Sequence, residues 1–372
     1  MDDLESPATA GLSASVGSLA VAEPGNTYAR IAPLPVEIES FELERLELAV
    51  SPEFTRVTTV VHLRARGEEG VGEDVTYGVR EQDEFQRAGP QLPLSGSWTL
   101  ESFSAQLDGL TLFPVEPDQV AYRDYRRWAL ESAALDLALR QAGTSLAAAL
   151  ERRPRPIAYV ASMRLPEPPS LEPLRRWLEL YPELRFKLDP TSGWGDGFVD
   201  ELAALGKVDV ADLKGAYKGT VVDQPPDPAL YRRVAERLPG ALIEDPALTE
   251  ETDAVLEPYR DRITWDAPIH SVGDVLGLPF RPKVLNVKPS RFGPLTRLFE
   301  FYDWCAAHGV GLYGGGQFEL GPGRGQIQYL ASLFHPDGSN DVAPAGFNAG
   351  LQPGLPGSPL VPPDPRAPGF RL

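Results

Sequence analysis

The sequence predicts an α/β protein: a modified (β/α) barrel of the TIM-barrel type with an N-terminal α+β capping domain. Short apolar runs recur along the second half of the chain, and each closes on a charged residue. The charged ends lie roughly 22 to 32 residues apart, about the length of one strand, one helix and two loops. A shorter region of alternating apolar residues precedes these units, which is typical of a small sheet domain.

The N-terminal part divides into a tail and a small domain. Residues 1–34 are rich in serine, alanine, glycine and proline without a sustained period, which predicts a mobile tail. Residues 35–124 form the predicted capping domain, because alternating apolar residues and a Gly-Glu-Glu-Gly turn signal indicate a meander. Its predicted strands are 36–50, 57–63 and 71–77.

The barrel domain is predicted at 125–348 and begins with a helix. Residues 125–140 carry a broad apolar face, and Gly143 stands where a helix end belongs. Residues 157–163 follow as the first barrel strand. Proline and glycine dominate 349–372, a tail predicted to pack back on the capping domain. The further predicted helices are 170–180, 228–238, 294–308 and 326–334, and the further predicted strands at the end of the barrel are 310–313 and 341–343.

Five apolar runs supply the middle strands of the predicted barrel. The strands of such a barrel are parallel, so their carboxyl ends all open into one mouth. The charged residues that close the runs are therefore expected to converge on a single site. The runs are 184–189, 208–212, 241–246, 263–266 and 284–288.

Composition limits the class of function. The chain has 372 residues, of which 42% are hydrophobic, and a formal net charge of −18, so no basic surface for nucleic acid is expected. A single cysteine, Cys305, excludes an intramolecular disulfide and a multi-thiolate metal site. No apolar run reaches the length of about 18 residues that a membrane helix needs, and the acidic N-terminus is unlike a signal peptide. We expect a cytoplasmic protein that handles small molecules.

Three carboxylates are the strongest functional signal. Asp212, Glu244 and Asp266 close three of the runs and would form an oxygen-only pocket, which suits a hard cation such as Mg²⁺. Without a cation, three converging carboxylates would repel one another. Each acid could instead cap the helix that follows its strand. Their matched placement favours one Mg²⁺ per chain.

Lysines accompany the acids at the same strand ends. Lys288 follows an apolar run, where an unpaired charge is expensive, so it is either the partner of an acid or a general base. Lys187 holds the corresponding place on an earlier run. Lys214 lies two residues beyond Asp212 and is a third candidate, although it could also face solvent.

Together these residues resemble the enolase superfamily, in particular its mandelate racemase/muconate lactonising branch and the o-succinylbenzoate synthase-like members of that branch. The resemblance runs from about residue 36 to residue 348. Each matching piece is short, but the combination is specific. The matching segments are 72–74, 130–139, 243–246, 287–288 and 316–319.

The resemblance implies that the protein abstracts the proton α to the carboxylate of a small carboxylic acid. Mg²⁺ and lysines would hold the resulting enediolate. Members of this branch commonly pair, which leaves a homo-oligomer open. The implied roles are metal ligands for Asp212, Glu244 and Asp266, catalytic residues for Lys288, Lys187 and Asp189, and substrate-binding residues for Glu319, Lys214 and Gln317.

One position departs from the pattern of this branch. The second barrel strand usually ends Lys-x-Lys, with the second lysine as a base, whereas this chain reads Lys187-Leu188-Asp189. A racemase needs a base on each face of the α-carbon, so racemisation is disfavoured. β-Elimination or cycloisomerisation with Lys288 as the one base is expected instead. An aspartate close to Mg²⁺ is expected to stay ionised and to be a poor base.

Two other functions compete with this interpretation. A non-catalytic barrel could bind a carboxylate or a metal without turnover, because one lysine of the usual pair is missing. The presence of Lys288 together with all three acids favours an enzyme. A glycoside-cleaving barrel would use Glu244 and Asp266 as acid and base, but it leaves the lysines without roles.

Substrate choice is expected to come from the capping domain. Its loops at 53–56 and 73–77 should close over the barrel mouth, because a charged intermediate must be shielded from water. No motif in these loops indicates a particular ligand. The four histidines offer no pair at metal-ligand spacing, so an oxygen-only metal site remains the prediction.

Overall fold

The structure, a computed structural model, describes residues 26–51, 54–218 and 223–372. The strands are β1 (Pro35–Ile38), β2 (Ser40–Ser51), β3 (Phe54–Ala65), β4 (Glu68–Asp74), β5 (Gly96–Thr99), β6 (Ala161–Met163), β7 (Phe186–Leu188), β8 (Val208–Asp212), β9 (Leu242–Glu244), β10 (Ile263–Thr264), β11 (Val284–Val287) and β12 (Gly311–Gly314). The α-helices are α1 (Val79–Ala88), α2 (Leu100–Asp108), α3 (Ala121–Gln141), α4 (Leu146–Ala149), α5 (Glu172–Leu180), α6 (Asp196–Leu205), α7 (Pro228–Arg237), α8 (Glu250–Leu256), α9 (Val272–Leu276), α10 (Pro289–Phe292), α11 (Leu295–His308) and α12 (Pro322–Phe334). Short 3₁₀ helices lie at Thr27–Arg30, Glu257–Arg262 and Ala345–Ala349.

The capping domain is built on the antiparallel meander β2-β3-β4. β3 is largely buried because it lies at the centre of the sheet, whereas the side chains of the edge strand β2 are mostly exposed or half-buried. β1 and β5 form a separate antiparallel pair. The third strand of the meander was predicted at 71–77 and lies at Glu68–Asp74. Helices α1 and α2 occupy much of the stretch that follows it.

Helix α3 joins the capping domain to the barrel. Most of its 21 residues are buried, because the helix packs against β4 of the capping domain and against α10 and α11 of the barrel domain. A Cβ atom at Gly72 would overlap the carbonyl oxygen of Ala129, and one at Gly70 would overlap that of Ala133. Glycine at these two positions lets the strand lie directly against the helix.

The barrel begins with a five-stranded parallel sheet in the order β6-β7-β8-β9-β10. β11 and β12 form a second parallel pair. The backbone N–H of Asn286 in β11 donates to the carbonyl oxygen of Trp265, just beyond β10, at 3.2 Å. This bond links the two sheets edge to edge.

The barrel closes through single residues. The backbone N–H of Asp341 donates to the carbonyl oxygen of Gly314 in β12 at 2.8 Å. Asn340 pairs with Tyr159, which lies just before β6. The short last strand predicted at 341–343 is thus reduced to two bridging residues. With the ring closed, the predicted (β/α) barrel with its N-terminal cap is confirmed.

Residues 26–34 of the predicted N-terminal tail pack against the rest of the protein. Residues 1–25 of the expected mobile tail 1–34 lie outside the described residues. Tyr28 and Ile31, by contrast, are buried in the hydrophobic core. The backbone N–H of Thr27 donates to Asp303 of α11 at 2.7 Å. The expectation of mobility is therefore wrong for this part of the tail, because apolar side chains anchor it.

The C-terminal segment packs against α3 and reaches the capping domain. Phe370 is fully buried, and its backbone N–H donates to Asp136 of α3 at 2.8 Å. The guanidinium of Arg371 donates to the carbonyl oxygen of Glu69 in β4 at 2.6 Å. Cys305 is buried in α11. Within the described ranges, every helix is too short or too polar to cross a membrane.

Candidate active site

The carboxyl ends of β7 to β11 bring most of the predicted site residues to one mouth. Asp189 directly follows β7, Asp212 ends β8, and Glu244 ends β9. Asp266 comes shortly after β10, and Lys288 directly follows β11. Asp212, Glu244, Asp266 and Lys288 are all buried. Neighbouring parallel strands thus place these charges side by side, as the apolar runs predicted.

A buried group of three carboxylates lies at the centre of this mouth. One oxygen each of Asp212, Glu244 and Asp245 all lie within 4.8 Å of one another. These are hard oxygen donors, which Mg²⁺ prefers. The donor set therefore fits the predicted ion. Asp245 was not predicted as a metal ligand. The predicted third ligand, Asp266, is not one of these three residues, but its backbone N–H donates to Asp245.

Asp245 holds the backbone that carries Asp266. Its oxygens accept hydrogen bonds from the backbone N–H groups of Asp266 at 2.8 Å and Ala267 at 2.9 Å. The backbone of Asp245 has φ of 46°, which is uncommon for residues other than glycine. Burial raises the pKa of Asp245 to about 7, and the nearby carboxylates of Asp266 and Asp212 add to the effect.

Lys187 lies among these acids and is buried. Its Nζ donates to Glu244 and lies 3.2 Å from Asp212 Oδ2. Burial alone would lower the pKa of Lys187, but the carboxylates of Glu244 and Asp212 raise it well above its ordinary value. The hydroxyl of Tyr313 donates to the other carboxylate oxygen of Glu244. Lys187 therefore places a positive charge between Glu244 and Asp212.

Lys214 points into the site rather than into solvent. Its Nζ lies 2.5 Å from Asp212 Oδ2 and 3.5 Å from Asp189 Oδ1. Burial alone would lower the pKa of Lys214, but these two carboxylates raise it. The backbone has φ of 54° at this lysine, so the loop after β8 turns sharply to bring it back over the mouth.

The side chain of Asp189 has a longer ion-pair contact than those of Asp212 and Asp266. Its side chain is 14% exposed, and Oδ1 accepts no hydrogen bond although it is buried. Burial raises the pKa of Asp189 to about 6, against the opposing effect of Lys214. The expectation that Asp189 stays ionised close to Mg²⁺ and is a poor base therefore stays a prediction.

Asp266 is paired with cations from the next strand. Lys288 Nζ lies 2.8 Å from Asp266 Oδ2, and Arg291 Nη1 lies 3.0 Å from Oδ1. The hydroxyl of Tyr217 also donates to Oδ2 at 3.1 Å. Burial would raise the pKa of Asp266, but Arg291 and Lys288 lower it far below its ordinary value. Asp266 is therefore firmly ionised.

Arg291 is a site residue that the sequence prediction missed. It lies in α10, which begins one residue after Lys288, and it is buried. Its Nη2 also donates to the hydroxyl of Tyr217 at 3.2 Å. A charged side chain in the turn directly after a strand-end lysine was the available signal, but one arginine in a Pro-Ser-Arg-Phe turn is weak evidence.

Gln317 and Glu319 lie after β12, between the barrel and the cap. The side chain of Gln317 donates to the hydroxyl of Tyr125 at 3.2 Å, and its backbone N–H donates to Glu319 at 2.6 Å. Arg324 of α12 lies 3.0 Å from the other oxygen of Glu319. These contacts tie the two residues to α3 and α12, so their predicted contact with substrate stays a prediction.

The capping domain is joined to this same segment. The guanidinium of Arg56 donates to the carbonyl oxygens of Gln317 at 2.9 Å and Phe318 at 3.2 Å. The carboxylate of Glu73 accepts hydrogen bonds from the backbone N–H groups of Leu320 at 2.7 Å and Gly323 at 2.9 Å. The predicted loops 53–56 and 73–77 thus meet the barrel at its mouth, with residue 53 outside the described residues.

The chain matches two related family models. The model described as domain of unknown function (DUF8230) C-terminal domain matches residues 153–349. The corresponding N-terminal domain matches residues 29–149. A curated o-succinylbenzoate synthase of Bacillus subtilis (strain 168) is 43% identical over 51 residues. This match spans 14% of the chain and 14% of that protein, so it concerns a short segment of both.

Solved structures match over most of the chain. A member of the enolase superfamily from Listeria innocua has a TM-score of 0.59 and 17% identity, over 84% of this chain and 87% of that chain. A dipeptide epimerase from Methylococcus capsulatus, complexed with a Mg ion, has a TM-score of 0.61 and 18% identity, over 81% of this chain and 88% of that chain. The predicted resemblance to the enolase superfamily is confirmed for the fold.

Proposed function

The chain belongs to the DUF8230 family, and we propose that it is a Mg²⁺-dependent enzyme that removes the proton α to the carboxylate of a small carboxylic acid. The observation that carries this proposal is the arrangement of charges at the barrel mouth. A row of buried carboxylates at the ends of β8 to β10 lies between lysines on the β7 side and Lys288 on the β11 side. Such a row supports a cation and a proton acceptor at one place.

The metal ligands are assigned to Asp212, Glu244 and Asp266. Asp245 is assigned a supporting role instead, because both of its oxygens already accept hydrogen bonds from the backbone N–H groups of Asp266 and Ala267. When bound, Mg²⁺ would supply positive charge opposite the substrate carboxylate, which acidifies the α-proton.

Lysines on the β7 side bind the substrate carboxylate. Lys187 and Lys214 stay protonated, because the acids around them raise their pKa values. They therefore offer fixed ammonium groups that stabilise the negative charge of an enediolate intermediate. They are poor proton acceptors for the same reason.

Lys288 removes the α-proton. It lies at the opposite side of the acid row from Lys187, since β8, β9 and β10 separate β7 from β11. Its Nζ is held by Asp266 at 2.8 Å, and its side chain is 9% exposed. A lysine held in place at the edge of a largely dry site is suited to take a proton from bound substrate. One such base favours β-elimination or cycloisomerisation over racemisation.

The capping domain excludes water from this chemistry. Arg56 and Glu73 hold the segment after β12 against the cap. Gln317 and Glu319 lie in that segment and are proposed to contact the part of the substrate away from its carboxylate. Water exclusion strengthens the attraction between the enediolate and the surrounding ammonium groups.

A second function has one observation in its favour. Lys187 and Lys214 already neutralise Asp212 and Glu244, so the acids do not need a metal ion to be compensated. A barrel that binds a carboxylate without turnover would have such an arrangement. It would show no dependence on Mg²⁺ and no proton exchange, which separates it from the enzyme.

The test is proton exchange in D₂O. We expect that at least one member of a panel of small carboxylic acids, including hydroxy acids, dicarboxylic acids and N-acylated amino acids, loses its α-proton NMR signal when protein and Mg²⁺ are present. Removing Mg²⁺ with EDTA should stop the exchange. If no acid of the panel exchanges, or if exchange continues without Mg²⁺, the proposed function is wrong.

A further inference from the structure

The hydroxyl of Tyr313 donates to Glu244, a contact that the proton abstraction described above does not use. Tyr313 lies on β12 and is almost completely buried. Its register partner on β11 is Asn286, whose amide nitrogen lies 3.5 Å from the same oxygen of Glu244, Oε2. Two neighbouring strands thus hold one oxygen of this acid. A hydrogen bond from a hydroxyl to a carboxylate is among the stronger kinds, so Tyr313 contributes most to this hold.

These contacts leave Glu244 little capacity for further partners. A carboxylate has about four lone-pair sites, shared equally by its oxygens. On Glu244, Tyr313 and Asn286 occupy both sites of Oε2, and Lys187 occupies one site of Oε1. In the described part of the chain, one site on Oε1 remains for a metal ion. Bidentate binding needs a free site on each oxygen, so Glu244 can offer a single oxygen to a cation.

Asp212, the assigned ligand at the end of β8, has the same pattern of contacts. Its Oδ2 lies 2.5 Å from Lys214 Nζ and 3.2 Å from Lys187 Nζ. Its Oδ1 accepts a hydrogen bond from the backbone N–H of Lys214 at 3.1 Å. The remaining lone-pair site therefore lies on Oδ1, and Asp212 can also offer a single oxygen.

Asp266, the third assigned ligand, repeats the pattern with other partners. Its Oδ2 lies 2.8 Å from Lys288 Nζ and accepts from the hydroxyl of Tyr217 at 3.1 Å. Its Oδ1 lies 3.0 Å from Arg291 Nη1. Among the residues that the structure describes, each of the three acids thus has one oxygen with two contacts and one oxygen with a single contact.

Ligands that offer a single oxygen favour Mg²⁺ over Ca²⁺. Mg²⁺ takes about six ligands in near-octahedral geometry and keeps several of its waters, so single oxygens of three carboxylates are sufficient. Ca²⁺ takes about 6–8 oxygen ligands and often obtains them from bidentate carboxylates. A site in which every carboxylate is limited to one oxygen cannot supply this larger shell.

We propose that Tyr313 is a positioning residue that limits Glu244 to one metal-binding oxygen and so makes the site select Mg²⁺ against Ca²⁺. This inference rests on the proposed function and deepens it, because it identifies what sets the choice of cation. Tyr313 is the residue to replace, because it can lose its hydroxyl and keep its ring. The cations that restrict Asp212 and Asp266 also neutralise those acids, so replacing one of them would change the charge of the site as well.

The test measures the affinity of the protein for each cation alone. Calorimetric titrations with magnesium chloride and with calcium chloride give the two dissociation constants for wild type, Tyr313→Phe, Asn286→Ala and Tyr302→Phe. Tyr302 is the matched control, because it is a buried tyrosine whose hydroxyl lies 3.3 Å from His335. Urea unfolding without added metal shows whether each variant is folded.

We expect Tyr313→Phe to bind Mg²⁺ about 10–100-fold more weakly, as for other residues that orient a metal ligand. Its affinity for Ca²⁺ should fall much less or rise, because Oε2 of Glu244 becomes available. The ratio of the two affinities should therefore shift towards Ca²⁺ by at least about tenfold. Asn286→Ala should shift the ratio in the same direction by a smaller factor, since its contact is longer, and Tyr302→Phe should keep the wild-type ratio.

A purely structural role of Tyr313 would weaken the binding of both cations equally, so an unchanged ratio in Tyr313→Phe overturns the inference. A wild-type protein that binds Ca²⁺ more tightly than Mg²⁺ also overturns it, although proton exchange in D₂O could still succeed and leave the proposed function intact. If wild type binds neither cation, the proposed function fails, and the inference falls with it. If Tyr313→Phe does not fold, Asn286→Ala decides: a shift towards Ca²⁺ supports the inference, and an unchanged ratio overturns it.

Discussion

At the scale of single residues, the mouth of the barrel is an arrangement of buried charges that stabilise one another. Glu244 is held by Lys187, and Asp266 by Lys288 and Arg291. Removing one partner of a buried ion pair typically costs about 3–5 kcal/mol, because the other charge is left uncompensated. The pairs therefore give the site a definite geometry before any ligand binds.

The third metal ligand can be identified by two matched substitutions. We expect Asp266→Asn to weaken Mg²⁺ binding more than Asp245→Asn, because Asp266 is ionised whereas Asp245 mainly holds the backbone of its neighbour. For Asp245→Asn a loss of about 10–100-fold is expected, as for residues that orient a metal ligand. Asparagine tolerates the left-handed backbone at position 245, so Asp245→Asn does not add backbone strain. Calorimetric titration with Mg²⁺ measures the affinity of each variant. A larger loss of affinity for Asp245→Asn would make Asp245, and not Asp266, the third ligand.

A buried histidine makes stability depend on pH. Burial lowers the pKa of His335 from 6.5 to about 4, and its ring is held by Asn340 and Tyr302. Between these pH values the unfolded chain binds a proton that the folded protein does not. Stability is therefore complete above pH 6.5 and is lost as the pH falls towards 4. The expected loss is up to about 3 kcal/mol.

The check is urea unfolding at pH 7.5 and pH 5 for wild type, His335→Gln and His308→Gln. His308 is exposed at the end of α11 and serves as the control. The pH dependence should shrink in His335→Gln and persist in His308→Gln. An unchanged slope in His335→Gln would mean that other groups cause the acid sensitivity.

At the scale of elements, the contact between β4 and the start of α12 couples the two domains. The carboxylate of Glu73 accepts four hydrogen bonds from backbone N–H groups of 320–323, where the helix presents unpaired donors. Arg56 supports the same segment from the neighbouring strand. The position of Gln317 and Glu319 therefore depends on the capping domain.

This coupling predicts a large effect from a small change. Glu73→Gln keeps the shape of the side chain but removes its charge and part of its capacity to accept hydrogen bonds. The free energy of unfolding should fall by about 1.5–3 kcal/mol, the range for hydrogen bonds to charged groups. The control is Glu68→Gln, an exposed glutamate at the other end of β4. Equal denaturation midpoints for the two variants would contradict the role of Glu73.

The barrel strands were predictable because each combines an apolar run with a charged end. Asp212, Glu244 and Lys288 stand where buried strands meet the mouth, and there a charged residue is conspicuous in the sequence. Helices α1 and α2 were not predicted, because their positions depend on contacts with distant elements such as α3. Asp245 was overlooked for a different reason: its role depends on backbone groups of the next strand, which the sequence does not place beside it.

At the scale of the whole molecule, the barrel carries the charged residues of the candidate site, and the capping domain lies against the mouth where these residues meet. The barrel could be predicted from spacing, whereas its closure through Asn340 and Asp341 could not, since single bridging residues leave no pattern. The path of Lys214 back over the mouth was equally hidden, because it depends on a left-handed turn after β8.

Lys288 is proposed to remove the α-proton of a carboxylic acid held at this mouth. The most direct measurement is α-proton exchange in D₂O by Lys288→Met with an acid that the wild-type protein exchanges. Lys283→Met, which removes an exposed lysine just before β11, is the control. We expect Lys288→Met to lose exchange by at least roughly 10²–10⁴-fold, while calorimetry still detects Mg²⁺ binding and Lys283→Met exchanges normally. Exchange by Lys288→Met near the wild-type rate would mean that another group removes the proton.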